Sequence, residues 1–394
     1  MTKTDVTARL TSGAAEIGAA AWNACANPLG ASDPHPFTRH EFFAALEESG
    51  SATARTGWRP LHLLIERGGT IEGILPLYLK NHSQGEYVFD HSWADALERA
   101  GGAYYPKLQS CVPFTPAAGR RLLVAAGADE AATRTALLAA GAAAVEQLSV
   151  SSLHINFPLE EEWRAAGEMG YLLRADRQFH WENRGYASFE EFLGELSSAK
   201  RKNLRKERAA VREAGVAFDW LTGRDITEAH WDAFFEFYMD TGGRKWGQPY
   251  LTREFFSRIG QSMSEQVFLV MARRGSRYIA GALNLFGEGV LYGRNWGCIE
   301  FVPFLHFETC YYQAIDFAIA RGFRKVEAGA QGEHKLLRGY QPVPTYSAHF
   351  IAHAGLRRAV ADYLEAERAA VAENIEELAE HGPFRKAPEP PEGD

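Results

Sequence analysis

Cysteine is scarce in this chain: four residues in 394, Cys25, Cys111, Cys298 and Cys310, with no CxxC pair. That scarcity excludes a disulfide-stapled scaffold and suits a reducing cytoplasm, the compartment expected here. Long apolar runs are missing too, and no stretch approaches the ~18 uncharged apolar residues of a membrane span. The opening MTKTDVTARLTSGAAEIGAAAWNACA breaks its alanines with Asp5, Arg9 and Glu16, and does not read as a signal peptide. Positive charge is not in excess. A net charge of −8 argues against general coating of nucleic acid and leaves room only for a local basic patch. No HExxH or CxxC spacing supports a catalytic metal, so none is expected.

What is present is ample core material: 46% of the residues are hydrophobic and 12% of the chain is aromatic, on a length sufficient for two domains. Faint internal repetition supports two halves. PFTRHEFFAAL (36–46) resembles PYLTREFFSRI (249–259), and LHLLIERGGTIEGILPLYL (61–79) resembles VFLVMARRGSRYIAGALNLF (267–286). The second pair reads as strand, glycine turn, strand. Aromatic strands are predicted next at YVFDHSW (87–93) and VLYGRNWG (290–297), and VPF follows in both halves. Each half then continues with a helix (131–148; 306–322) and a strand (151–157; 324–330). The junction is placed within 172–189. An Ala- and Glu-rich helix over 356–381 ends at Gly382-Pro383, before a Pro-rich tail read as disordered.

Two segments carry a wider resemblance: SSAKRKNLRKERAAVREAGVAF (197–218) and FLHFETCYYQAIDFAIARGFRKVEAGAQGEHKLLRGYQPVPTYSAHF (304–350). With the repeated order of hairpin, helix and strand, they are similar to bacterial FemAB-like predicted N-acyltransferases, which join two GNAT-like units in tandem. The resemblance implies an α+β fold of two GNAT-like units with mixed, mostly antiparallel sheets. The expected division is 1–175 and 176–362, then a C-terminal helix (363–382) and a disordered tail (383–394). It also implies an N-acyltransferase that moves an acyl or aminoacyl group to a small-molecule or peptide amine, with acyl-CoA or aminoacyl-tRNA as donor and tRNA as a possible partner; the alternative from another class is a non-catalytic ligand-binding GNAT-like module. One departure bears on the donor. GCIEFVPFLHFE (297–308) stands where GNAT enzymes carry a Gly-rich loop for the coenzyme A pyrophosphate, and it lacks that glycine spacing.

Direct attack by an amine requires a base, a polarised carbonyl and a proton for the leaving group. Glu333, His334 and Lys335 close a strand in a glycine-flanked loop, where polar side chains reach a cleft without being buried unpaired. Glu333 or His334 is the expected base. Lys335 is the expected electrostatic group, a role the resemblance favours; a solvated charged turn is the plain alternative. Gln331 and Arg338 flank the run as substrate-binding candidates. Arg294 and Trp296 share a strand face, suited to gripping an anion and stacking beside it. His306, Glu308 and Tyr311 begin a helix and either face the 333–335 loop or serve only local packing. Lys200, Arg201 and Arg205 head a basic helix read as a solvated face or as a steering patch for a phosphate-rich donor. Trp246 and Tyr250 could wall an acyl pocket, Asp90, His91 and Trp93 form a possible counterpart in the first half, and His154 reads as a satisfied core residue.

Overall fold

The computed structural model describes residues 6–245, 249–329 and 332–385. Two sheets organise it. The smaller has the strand order Val6–Leu10, Leu63–Arg67, Thr70–Leu75, Leu123–Val124. The larger has eleven strands. It runs from Val216–Thr222 through Val267–Arg274, Arg277–Gly287, Val290–Cys298 and Lys325–Glu327 to Leu172–Glu182. It continues through Gln341–Ile351, Ser152–Asn156, Lys107–Ser110 and Tyr78–Lys80 to Trp58–Pro60.

Each half holds one parallel pair in an otherwise antiparallel arrangement: Lys107–Ser110 beside Ser152–Asn156, and Val290–Cys298 beside Lys325–Glu327. A parallel neighbour needs a crossover, and a helix provides it in both halves. Glu130–Gln147 crosses in the first, capped by the Asp129 carboxylate accepting from the Ala132 N–H at 3.0 Å. In the second, one helical run crosses as Leu305–Phe307, Glu308–Tyr312 and Gln313–Arg321, ending at Gly322 with φ 66°. The duplicated α+β plan is therefore visible in the strand pairing itself.

The halves are not separated by a sheet edge. Leu172–Glu182 contains the expected boundary at 175 and pairs with Lys325–Glu327 on one side and Gln341–Ile351 on the other. Gln341–Ile351, late in the chain, returns to pair with Ser152–Asn156 of the first half. The helix Ala354–Glu380 then packs back on those strands, burying Leu356, Val360 and Leu364 against Trp93 and Leu97.

Two expectations need correction. The aromatic strand predicted over 87–93 does not form; a helix, His91–Arg99, starts there. Trp93, Ala94 and Leu97 follow the helical period and bury one face, whereas a strand would have needed alternation. The strand that takes this place in the first half is Lys107–Ser110. The tail does not leave the fold at 383 either. Ser197 N–H donates to the Pro383 carbonyl, and Arg385 N–H to that of Glu195, both at 2.9 Å, with Phe384 bridged to Leu196. Residues 386–394 lie outside the described residues.

Candidate functional site

The second parallel pair is short. Val290, Leu291 and Tyr292 pair with Lys325, Val326 and Glu327, and the strands then diverge. On its other side Val290–Cys298 carries a bulge. Asn284 stands opposite Gly293 and Leu283 opposite Asn295, so Arg294 is the extra residue. A bulge re-aims the side chains beside it. The Arg294 guanidinium donates to the Phe114 carbonyl and lies 5.7 Å from the centre of the Phe37 ring, joining the second half to the first. Burial lowers its pKa.

The gap left by the diverging strands is a pocket of about 80 Å³. Asn284, Arg294, Trp296, His306, Cys310 and Tyr311 line it. Tyr311 is brought there by a π-helical turn, Glu308–Tyr312, inside the crossing helix. Such turns are rare and concentrate at functional sites. The rings form a chain: Trp296 to His306 at 5.2 Å, His306 to Tyr311 at 5.4 Å, and His306 to His334 at 6.2 Å between centroids. Tyr311 Oη and His334 Nε2 are hydrogen-bonded at 2.9 Å. Burial raises the Tyr311 pKa, so its phenol holds its proton at neutral pH.

The segment Glu333–Arg338, a short 3₁₀ helix, carries the charged run and divides it. His334 meets the pocket through Tyr311. Glu333 turns outward to Arg177 at 3.2 Å and is largely exposed. Lys335 is buried, and its Nζ donates to the Gly329 carbonyl at 2.8 Å. Burial brings the Lys335 pKa down to about 8. Arg338 fixes the segment from beneath: its guanidinium lies 3.4 Å from the Phe307 ring centre, donates to the His334 carbonyl at 2.7 Å, and pairs with Glu207 at 2.9 Å. Glu207 also accepts from Tyr312 Oη. Gln331 lies outside the described residues.

Glu308 does not join this group. It points to the opposite side of the crossing helix, where Oε1 meets Arg208 at 3.0 Å and Gln313 at 2.7 Å. Burial raises its pKa. That side opens into a cleft of about 640 Å³ walled by Arg205, Arg208 and Arg212 of the basic helix Ser198–Glu213. Arg205 pairs there with Glu190 at 2.5 Å, and Lys200 and Arg201 stand on the first turn of the same helix. In the basic run, Leu204 and Val211 face inward as expected.

The remaining candidates separate. Trp246 lies outside the described residues, and Tyr250 stacks flat on Phe114 at 4.8 Å. Asp90 is buried under Lys107 and accepts from Tyr104 Oη at 2.6 Å, in a closed network rather than an open counterpart site. His154 is a core residue, bonded to Ser152 and His349 at 2.7 Å. Sequence reasoning missed Asn284 and Glu207. Asn284 is hidden in an apolar strand, and Glu207 in a run read only for its positive charge. Among the described residues, no group of three or more His, Cys, Asp or Glu is placed to hold a metal ion, and no helix is long and apolar enough to cross a membrane.

Comparison with known proteins agrees with this architecture. The crystal structure of FemX superposes with a TM-score of 0.51 at 12% identity, covering 84% of this chain and 96% of that one. L-PGS from Bacillus licheniformis gives 0.50 at 11% identity, covering 84% and 98%. The C-terminal domain (DUF2156) of a putative lysylphosphatidylglycerol synthetase from Agrobacterium fabrum gives 0.51 at 9%, covering 88% and 96%. At these identities the likeness is one of fold. No curated protein sequence matches. The model of the FemAB-like family, described as peptidoglycan biosynthesis/recognition, matches residues 13–386. With that match along nearly its whole length, this chain belongs to the FemAB-like family.

Proposed function

We propose that this protein is a transferase that moves an acyl or aminoacyl group from an activated ester or thioester donor to an amine, at the pocket between the diverging strands. The observation that carries the reading is the Tyr311–His334 hydrogen bond beside His306 and Arg294, at the end of the parallel pair.

The chemistry requires no enzyme nucleophile. The amine nitrogen attacks the carbonyl carbon, the N–C bond forms, and the C–S or C–O bond to the donor breaks. His306, lining the pocket, takes the proton the amine loses. Tyr311 gives its phenolic proton to the departing sulfur or oxygen and is reprotonated through His334. His306 returns its proton to solvent, so the net transfer is from amine to leaving group. Arg294 stabilises the oxyanion of the tetrahedral intermediate from a fixed, partly buried position. Glu333 has no part in this scheme, since it faces Arg177, and Lys335 is engaged by the Gly329 carbonyl.

The donor is acyl-CoA or aminoacyl-tRNA. The cleft on the far side of the crossing helix is walled by Arg205, Arg208 and Arg212, but Arg205 is paired with Glu190 and Arg208 with Glu308 and Asp316, so it selects neither a tRNA arm nor a coenzyme. The deciding experiment presents the purified protein with acyl-CoA and with charged tRNA, and follows discharge of each in the presence of an amine. Discharge that needs the amine and is lost in Tyr311→Phe supports the reading. Amine-independent discharge, or none from either donor, overturns it.

A further inference from the structure

The small pocket does not end at its own walls. Trp296 and His306 also line a second, wider groove of about 390 Å³, so the two spaces share a boundary. Such a volume falls within the roughly 300–1,000 Å³ of small-molecule sites. The groove is built by the segment 298–307, the stretch where a Gly-rich phosphate loop is missing. Phe301, Val302, Phe304, Leu305 and Phe307 supply its surface. Phe301 is 88% exposed and continues the apolar surface of Val302, Phe304 and Phe307 at the groove. Phe304 adopts φ 65°, a left-handed conformation a bulky residue takes only under constraint, and is 38% exposed at the start of the crossing helix.

Charge decides what the groove accepts. Among the described residues lining it there is no lysine or arginine, and the one carboxylate, Glu300, pairs with Arg274 at the rim. A pyrophosphate laid here would meet rings and a carboxylate. Where the groove joins the small pocket, the fixed charge is Arg294, and no carboxylate lines that pocket among the described residues. A protonated amine at the head of an apolar tail would be repelled there, while a carbonyl would be held. We propose that the groove binds the hydrocarbon tail of the acyl group being transferred, with its carbonyl directed past Trp296 and His306 to Arg294 and Tyr311. The substrate class is a medium- or long-chain acyl donor. This rests on the transfer reading above, but its binding step can be measured without turnover.

Isothermal titration of the full chain with a series of N-acylglycinamides, acetyl to dodecanoyl, reads the groove directly. Affinity should rise about fourfold per added methylene until the groove is filled. Dodecylamine, with the same tail and a cationic head, should bind at least tenfold more weakly than dodecanoylglycinamide. Cys298→Phe, which fills the groove from its strand wall, should abolish the chain-length dependence and leave the circular-dichroism spectrum unchanged. Phe301→Ser, at an exposed position that cannot unfold the core, should weaken dodecanoylglycinamide by about tenfold. Equal affinity for acetyl and dodecanoyl probes overturns the proposal. So does preference for dodecylamine, or Phe301-dependent sedimentation with phosphatidylcholine–phosphatidylglycerol vesicles in the absence of binding to the soluble probe, which would make the rim a membrane contact. If chain-length-dependent binding holds but no donor is ever discharged, the groove stands and the transfer reading fails. If short and long donors are discharged equally and Cys298→Phe changes neither, the reverse is true.

Discussion

Replacing Tyr311 with phenylalanine removes one hydroxyl and keeps the ring that packs against His306, Phe307 and Tyr340. The expected result is a kcat lower by about 10²-fold, in the range of a lost general acid, with KM nearly unchanged. A matching fall in thermal stability of more than about 1 kcal/mol would indicate a structural hydroxyl instead. Lys335 makes a different kind of prediction. Its folded pKa of about 8 lies below the ordinary 10.5, so between those values the unfolded chain binds more protons than the folded one. Stability therefore rises with pH across that window, by up to about 3 kcal/mol, and Lys335→Met should flatten the rise in denaturant titrations. At this scale the residue types were legible in the sequence, and their directions were not. Glu333, His334 and Lys335 are adjacent, yet a 3₁₀ turn sends one to Arg177, one to Tyr311 and one to a backbone carbonyl. Glu308 went the other way for a similar reason: a π turn changes the angular spacing that a regular helix would give it relative to Tyr311.

Among the elements, the basic helix Ser198–Glu213 and the 3₁₀ segment Glu333–Arg338 are joined through Glu207 and Arg338, which are 16% and 6% exposed. Removing one member of so enclosed a pair leaves the other without its partner. Glu207→Gln should cost about 2 kcal/mol of stability and lower kcat by releasing His334 from its position. The double variant Glu207→Gln/Arg338→Met should recover part of the stability, because neither charge is then left unmatched. Chemical denaturation of the three proteins checks this, and equal stabilities throughout would show the pair to be solvated. Most elements were readable from periodicity: the crossing helices, the hairpin of Val267–Arg274 with Arg277–Gly287, and the basic helix lie where the pattern put them. The helix His91–Arg99 was not, since of its three inward residues only Trp93 falls in the aromatic stretch 87–93, and one position cannot set a helical period.

For the whole molecule, the long strand Leu172–Glu182 and the returning strand Gln341–Ile351 bind the halves into one sheet. A fragment ending at 175 would lose the strand that pairs with Ser152–Asn156 and expose an edge there. It should not fold alone, and the intact chain should melt in a single cooperative transition by calorimetry. Two resolved transitions would show independent halves. Tandem organisation was legible from three collinear repeats; the exchange of strands was not, because pairing between residues 161 to 199 positions apart leaves no local periodicity to read. The central claim, amine acylation at the pocket between the diverging strands, is tested most directly by mass spectrometry of reaction mixtures. These contain a decanoyl thioester, a primary amine, and either the natural protein or His306→Ala. The account predicts an N-decanoyl amide whose rate of formation falls about 10²-fold in the variant. Amide formation at the same rate in both proteins would contradict it.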